Sequence, residues 1–285
     1  MRTRKAVFAL MSIHVRLLVL TGVLLCAAVL AAERHAGSLA AARGQATPMQ
    51  IFLLIGQSNM AGRAGVEPAD RVPHARVRML DRDARWVPAV DPMHFDKPAV
   101  AGVGPGRAFG LALVDADSTS EIGLVPAAVG GSPIEAWRPG EHYLPTDSHP
   151  WDDAIRRARV AMAAGTLRGI LWHQGEADAT PERAPLYAER LHALVRRLRT
   201  TLDAPEVPFL AGQIGHFADV PWTDAHVMVD AAHRALSQHV PHTAYVSAEY
   251  LTHQGDGVHF DAVSARLLGR RYAEAWTRLT TSTTR

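Results

Sequence analysis

Apolar residues in this chain gather into short continuous runs separated by stretches of helical period, and several of the runs end in small polar residues. Ile51 to Ile55 is the clearest, five apolar residues closed by Gly56-Gln57-Ser58-Asn59. A run too short for a core helix and bounded by glycine predicts a strand buried on both faces. Apolar runs at 122–129, 169–172, 207–214 and 243–247 predict four more strands. Helices are predicted between them. One opens at Gly104-Pro105-Gly106 and buries Phe109, Leu111, Leu113 and Val114, and a second covers 151–164. The stretch 181–202 repeats Leu186, Leu191, Leu194, Val195 and Leu198 at helical spacing, and further helices are expected over 223–238 and 261–279. Strands alternating with helices predict an α/β fold with a five-stranded, mostly parallel sheet covered on both faces. Residues 61–103 carry Pro68, Pro73, Pro88, Pro92 and Pro98, which predicts a long irregular connection.

Charge and composition narrow the picture. The chain has 285 residues and a formal net charge of +2, its basic side chains interleaved with acidic ones. No nucleic-acid partner is implied. The N-terminus is different: Arg2, Arg4, Lys5 and Arg16 precede an apolar run from Leu17 to Ala32. This order predicts a secretory signal peptide over 1–32 with Val29-x-Ala31 at its cleavage site, or alternatively an uncleaved N-terminal anchor. Either would put the domain outside the cytoplasm, secreted or periplasmic, with a membrane partner only if the segment stays attached. Cys26, the single cysteine, lies in that segment, so the exported domain is expected to hold its fold by burial alone, without disulfides. Residues 33–48 are rich in Ala, Gly, Arg and Ser without an apolar period and predict a flexible linker, leaving 49–285 as one domain.

Candidate chemistry sits at the strand ends. Ser58 would lie at the carboxyl edge of the sheet, where open α/β sheets bind ligands. If a helix starts at Asn59, the Ser58 N–H also points into the crevice and can meet a developing negative charge. Asp256 and His259 stand three positions apart around Gly257. Their loop can bend so that the carboxylate meets one imidazole nitrogen while the other faces Ser58, which suits a histidine acting as base on a serine hydroxyl. Gly130-Gly131 allows close backbone approach, although a tight turn alone would also explain it, and Gln174 offers an amide donor. With the Ser58 N–H these could form an oxyanion hole. His173 and Glu176 lack a second His or Cys at ligand spacing, so no metal is expected. Trp137, Trp151 and Trp172 could line a sugar site or serve as ordinary core.

These segments resemble the SGNH hydrolases, and within them the sialate O-acetylesterase and acetylxylan esterase group of carbohydrate esterase family six. Gly56-Gln57-Ser58-Asn59-Met60 is similar to that group's nucleophile block and Val129-Gly130-Gly131-Ser132-Pro133-Ile134-Glu135-Ala136-Trp137 to its glycine block. Trp172-His173-Gln174-Gly175-Glu176 resembles its third block, with Gln where other SGNH enzymes have Asn, and Asp256-Gly257-Val258-His259-Phe260 its closing block. His94-Phe95-Asp96-Lys97-Pro98 and Gly102-Val103-Gly104-Pro105-Gly106 also look typical of bacterial members. The resemblance implies a three-layer αβα sandwich of flavodoxin-like type and a serine esterase that deacetylates carbohydrates without a cofactor. Ser58 would be the nucleophile, His259 the base and Asp256 its partner, with Ser58 N–H, Gly131 N–H and Gln174 as oxyanion donors. Glu176 would orient His259 or bond within its own loop. The absence of Gly-x-Ser-x-Gly speaks against the α/β-hydrolase fold. A non-catalytic sugar-binding relative, or an esterase of lipids or thioesters, are the competing readings.

Overall fold

The structure is a computed structural model describing residues 48–282, so the expected signal peptide or anchor and nearly all of the expected linker lie outside the described residues. The sheet has strands β1 (Met49–Gly56), β2 (Val77–Leu80), β3 (Trp86–Pro88), β4 (Ile122–Pro126), β5 (Gly165–His173), β6 (Phe209–Gly212) and β7 (Thr243–Val246). They run in the order β3-β2-β4-β1-β5-β6-β7. All neighbours pair in parallel except β2 with β3. The mostly parallel sheet is as expected, but it holds seven strands rather than five. The two additional strands lie inside the segment expected to be irregular. They are four and three residues long, and only Val77 and Leu80 of β2 are deeply buried.

Among the described residues six α-helices accompany the sheet: α1 (Ser58–Ala61), α2 (Pro105–Ala116), α3 (Pro150–Met162), α4 (Ala184–Thr201), α5 (Asp224–His239) and α6 (Ala262–Ser282). Successive strand residues point to opposite faces, and β1 shows what this does to the core. Ile51, Leu53 and Ile55 pack on one side with Ala154 and Ile155 of α3, Leu194 and Leu198 of α4, and Val229 of α5. Phe52 and Leu54 pack on the other with Phe109 and Leu113 of α2 and Leu268 and Tyr272 of α6. Two apolar layers around one sheet make the three-layer sandwich. Trp137, Trp151 and Trp172 all belong to the first layer, at most 3% exposed, so they are core and not a sugar platform.

Topology fixes where a site can form. From β1 the chain moves first to the β4 side, then crosses to β5 on the other, so the strand order reverses at β1, the kind of crevice where open sheets bind ligands. Pairing continues beyond the strand ends. Ala127 N and Val129 N donate to Leu54 O and Gly56 O, and Gln57 N donates to His173 O. The segments leaving β4 and β5 are thereby held alongside Ser58.

Residues 81–100 are tied down by buried polar groups. Arg157 of α3 donates to Pro126 O, Leu80 O and Asp81 O, and its guanidinium lies 4.5 Å from the centroid of the Phe95 ring. Asp91 is 3% exposed and its Oδ1 has no partner among the described residues. Burial, together with the charge of Asp70, pushes its carboxyl up to about 7. A folded-state value above the unfolded one, roughly 3.9, means that the proton Asp91 retains favours folding below about pH 4, and that this contribution is lost as pH rises through about 7. Asp91→Asn should therefore raise stability in urea denaturation, by about 2.5 kcal/mol more at pH 8 than at pH 5. An equal gain at both pH values would mean that the carboxyl is ionised throughout.

Candidate active site

Ser58 opens α1 directly after β1 and is 7% exposed. Its Oγ lies 2.9 Å from His259 Nε2, and His259 Nδ1 lies 2.7 Å from Asp256 Oδ2. An ionised carboxylate can only accept, so Nδ1 carries the hydrogen and Nε2 is left to accept the serine O–H. Burial opposes ionisation of Asp256, but donation from His259 N, the Gln254 amide and Val258 N outweighs it and holds the carboxyl well below the usual range. The structure thus brings together Ser58, His259 and Asp256 as a hydrogen-bonded triad, the arrangement that activates a hydroxyl for attack on an acyl carbon.

The neighbouring donors sort themselves by which N–H groups are already engaged. Gly130 N donates to Asp96 Oδ2 at 2.7 Å. That leaves Gly131, whose N–H has no partner among the described residues and whose φ of 82° is the left-handed conformation that glycine adopts without strain. The Ser58 N–H, at the start of α1, is likewise unpartnered among them. Of the two glycines left open by the sequence, Gly131 is the available donor. Gly130 has a packing reason: a Cβ there would collide with Arg63, which pairs with Asp96 at 2.7 Å.

Gln174 does not take the expected position. It is fully buried, its Nε2 donates to Asp178 Oδ2 at 2.6 Å and Ser132 O at 3.2 Å, and its Oε1 accepts from Tyr187 at 2.8 Å. Both amide hydrogens are engaged, so none is left for an oxyanion. Gln57, next to Ser58 in the chain, lines the cavity instead. Gln57 Oε1 accepts from Ala177 N at 3.2 Å, and its Nε2 has no partner among the described residues. The signal was present in the sequence, since Gln57 adjoins the serine, but a side chain's direction at a strand end depends on the neighbouring loops.

Glu176 bonds to neither ring nitrogen of His259. Its Oε1 accepts from Asn59 Nδ2 at 2.6 Å. The same nitrogen donates to Val258 O at 3.0 Å, and Asn59 Oδ1 accepts from Phe260 N at 3.1 Å. Asn59 therefore grips the main chain on both sides of His259, and Glu176 orients Asn59. Burial pushes the Glu176 carboxyl up, against the pull of the Asn59 bond. Neighbouring His173 is fully buried, which with the charge of His233 brings its pKa down to about 3, so it is neutral and holds no ion pair with Glu176.

The cavity over these groups is about 700 Å³ and is lined by Gln57, Ser58, Gly131 and His259, with Lys97 and Gln254 at its wall. Lys97 forms no ion pair among the described residues. The 94–97 segment that carries it is fastened to the loop after β4, because Ala128 N donates to His94 Nδ1 and Gly130 N to Asp96.

Comparison with known proteins places the whole described domain in one family. Residues 48–278 match the family described as carbohydrate esterase, sialic acid-specific acetylesterase. An Arabidopsis thaliana protein named "probable carbohydrate esterase" is 31% identical over 250 residues, covering 80% of this chain and 90% of the relative. A solved Arabidopsis thaliana structure superposes with a TM-score of 0.72 at 30% identity, covering 81% of this chain and 98% of that one. The structure of NanS has the same fold, with a TM-score of 0.69 at 16% identity, covering 83% of this chain and 99% of that one.

Asp256→Asn should lower kcat on the order of 10³–10⁴-fold, because the imidazole loses its tautomer and its partner charge. Asn59→Ala should lower kcat by about 10–100-fold with KM little changed, since a loosened His259 misplaces the base without touching bound ester. Glu176→Gln, which keeps a carbonyl for Asn59, should cost less than either. Steady-state kinetics on an aryl acetate tests the order, and a larger loss for Glu176→Gln than for Asp256→Asn would reverse the assigned partner.

Proposed function

Because the chain belongs to the sialic acid-specific acetylesterase family of carbohydrate esterases, and so to the carboxylic ester hydrolases, we propose that it removes O-acetyl groups from carbohydrate through an acyl-enzyme formed on Ser58. The observation that carries this reading is the Ser58–His259–Asp256 triad set beside two unpartnered main-chain N–H groups.

As the Ser58 oxygen attacks the acetyl carbon, its proton passes to His259 Nε2, and Asp256 steadies the imidazolium. The carbonyl oxygen becomes an oxyanion that accepts from Ser58 N, Gly131 N and Gln57 Nε2, and losing one such donor raises the barrier by on the order of 2.7–4 kcal/mol. The tetrahedral intermediate collapses, the sugar oxygen leaves with the proton from His259, and the acetyl group remains on Ser58. Water then attacks with His259 again as base, releasing acetate and restoring the serine. Asp256 stays ionised throughout because its donors favour the charged form.

The sugar would lie against Lys97 and Gln254, two donors at the cavity wall suited to ring hydroxyls or a carboxylate. Acetylated xylan-type glycans and O-acetylated sialic acid are the substrate classes in view. Export by the basic and apolar N-terminal segment fits such substrates and forms part of this reading.

Incubating the full chain beside Ser58→Ala with an aryl acetate, an acetylated xylo-oligosaccharide and an O-acetylated sialic acid, and measuring acetate, tests it. Release should fall at least about a thousandfold in Ser58→Ala. Near-equal release by both proteins would sink the acyl-enzyme, and glycan binding without release from any ester would favour a binding protein.

A further inference from the structure

A second cavity, of about 710 Å³, is lined by residues 216–219 and 249–253, the latter leading into the loop that carries Asp256 and His259. Phe217 and Leu251, both nearly buried, supply its apolar surface, and Asp219, Glu249 and His253 add polar groups. Tyr250 also lines it, and two features of that residue are unusual. It is 95% exposed, without a ring contact or hydrogen bond among the described residues, and its φ is 64°. A bulky side chain in the left-handed region costs backbone energy, and such outliers cluster at active sites, ligand clamps and switch regions.

The groove is tied to the catalytic loop through His253. His253 Nε2 lies 3.0 Å from Asp219 Oδ2, while Nδ1 accepts from Gly255 N at 2.9 Å and Gly257 N at 3.0 Å. The imidazole therefore spans the groove wall and the peptides on either side of Asp256. Phe217 packs against both His253 and Phe260, the residue after His259.

This mixture of surfaces selects a class of ligand. A free aromatic ring matches the C–H face of a pyranose, and carboxylates at the rim accept its hydroxyls. Asp219 and Glu249, 70% and 53% exposed, already have basic partners in His253 and Arg234, and no Lys or Arg among the described residues lines the groove, so it offers no cation to an anionic sugar. An acyl chain would leave the same polar groups without partners.

Resting on the carbohydrate-esterase reading, we propose that the groove beside Tyr250 is an accessory subsite for a neutral pyranose unit of the carbohydrate, separate from the cavity in which the ester is cleaved. A saccharide longer than one unit gains contacts there that a small aryl ester does not.

Xylotriose titrated calorimetrically into the full chain carrying Ser58→Ala provides the test. Affinity should fall about fivefold or more when Tyr250→Ala is added, and should be retained with Tyr250→Phe, which keeps the ring. In parallel, the ratio of kcat/KM for acetylated xylotriose to kcat/KM for an aryl acetate should fall to a similar extent in Tyr250→Ala alone. No xylotriose binding, or binding indifferent to Tyr250→Ala, would overturn the subsite. Tyr250-dependent binding of N-acetylneuraminate in place of xylotriose would overturn its assignment to neutral sugars. Turnover of aryl acetate with Tyr250-independent binding would leave the esterase standing without the subsite. Tyr250-dependent binding without turnover of any ester would leave the subsite and remove the esterase.

Discussion

Ser58 and His259 are 201 positions apart in the chain, and their 2.9 Å contact requires the last loop to be held at a fixed depth against the end of β1. Asn59 supplies that constraint. Its amide occupies one acceptor and one donor on the two peptides around His259, so the base is located relative to the residue adjoining the nucleophile. The hydrogen bond between Ser58 Oγ and the imidazole could not do this alone, because in the proposed reaction it breaks and reforms in each turnover. Main-chain bonds to Asn59 carry no reacting proton and persist. Glu176 then serves by accepting the remaining hydrogen of Asn59, which fixes the amide's orientation.

A second buried network supports the opposite wall. Gln174 links Asp178, Ser132 O and Tyr187, and Tyr187 in turn meets His233 Nε2 at 2.9 Å. Asp178 also accepts from Ile134 N, so the turn that presents Gly131 is braced from behind. Burial pushes the Asp178 carboxyl up, and the donors from Ile134 and Gln174 oppose it. In a setting this dry, an amide that left the network to serve an oxyanion would strand a carboxylate, and unpaired buried charge costs more than one lost bond. This is the physical reason Gln174 stays a brace while Gln57, closer to the cavity, has an amide nitrogen free.

What could be read beforehand follows from how local each signal is. The run Ile51–Ile55 identifies the central strand without help, because a strand buried on both faces is apolar throughout. Ser58, Asp256 and His259 were visible since each sits beside a strand end or in a glycine-bearing loop whose geometry follows from its own residues. The strands Val77–Leu80 and Trp86–Pro88 were not, because Arg78, Pro88 and the prolines around them mask a pairing that only β4 makes favourable. The residues by themselves leave Gly130 and Gly131 open, and only the family resemblance favours Gly131. The choice turns on Asp96, which reaches the glycine loop from 34 positions away.

Arg63 and Asp96 show how a costly interaction becomes useful in that place. Their side chains are 6% and 1% exposed, so both charges lose nearly all of their water. A buried pair of this kind adds little stability compared with apolar residues of the same shape, but losing one partner leaves a charge stranded. What it supplies here is discrimination between adjacent peptides. Asp96 Oδ2 accepts from both the guanidinium and Gly130 N, which turns that N–H away from the cavity and leaves Gly131 as the donor of the glycine pair. The same carboxylate anchors the residue next to Lys97, so one ion pair sets both which glycine N–H is free and the placement of Lys97 at the cavity wall. An apolar replacement could fill the volume, but it could not tell one glycine N–H from the next.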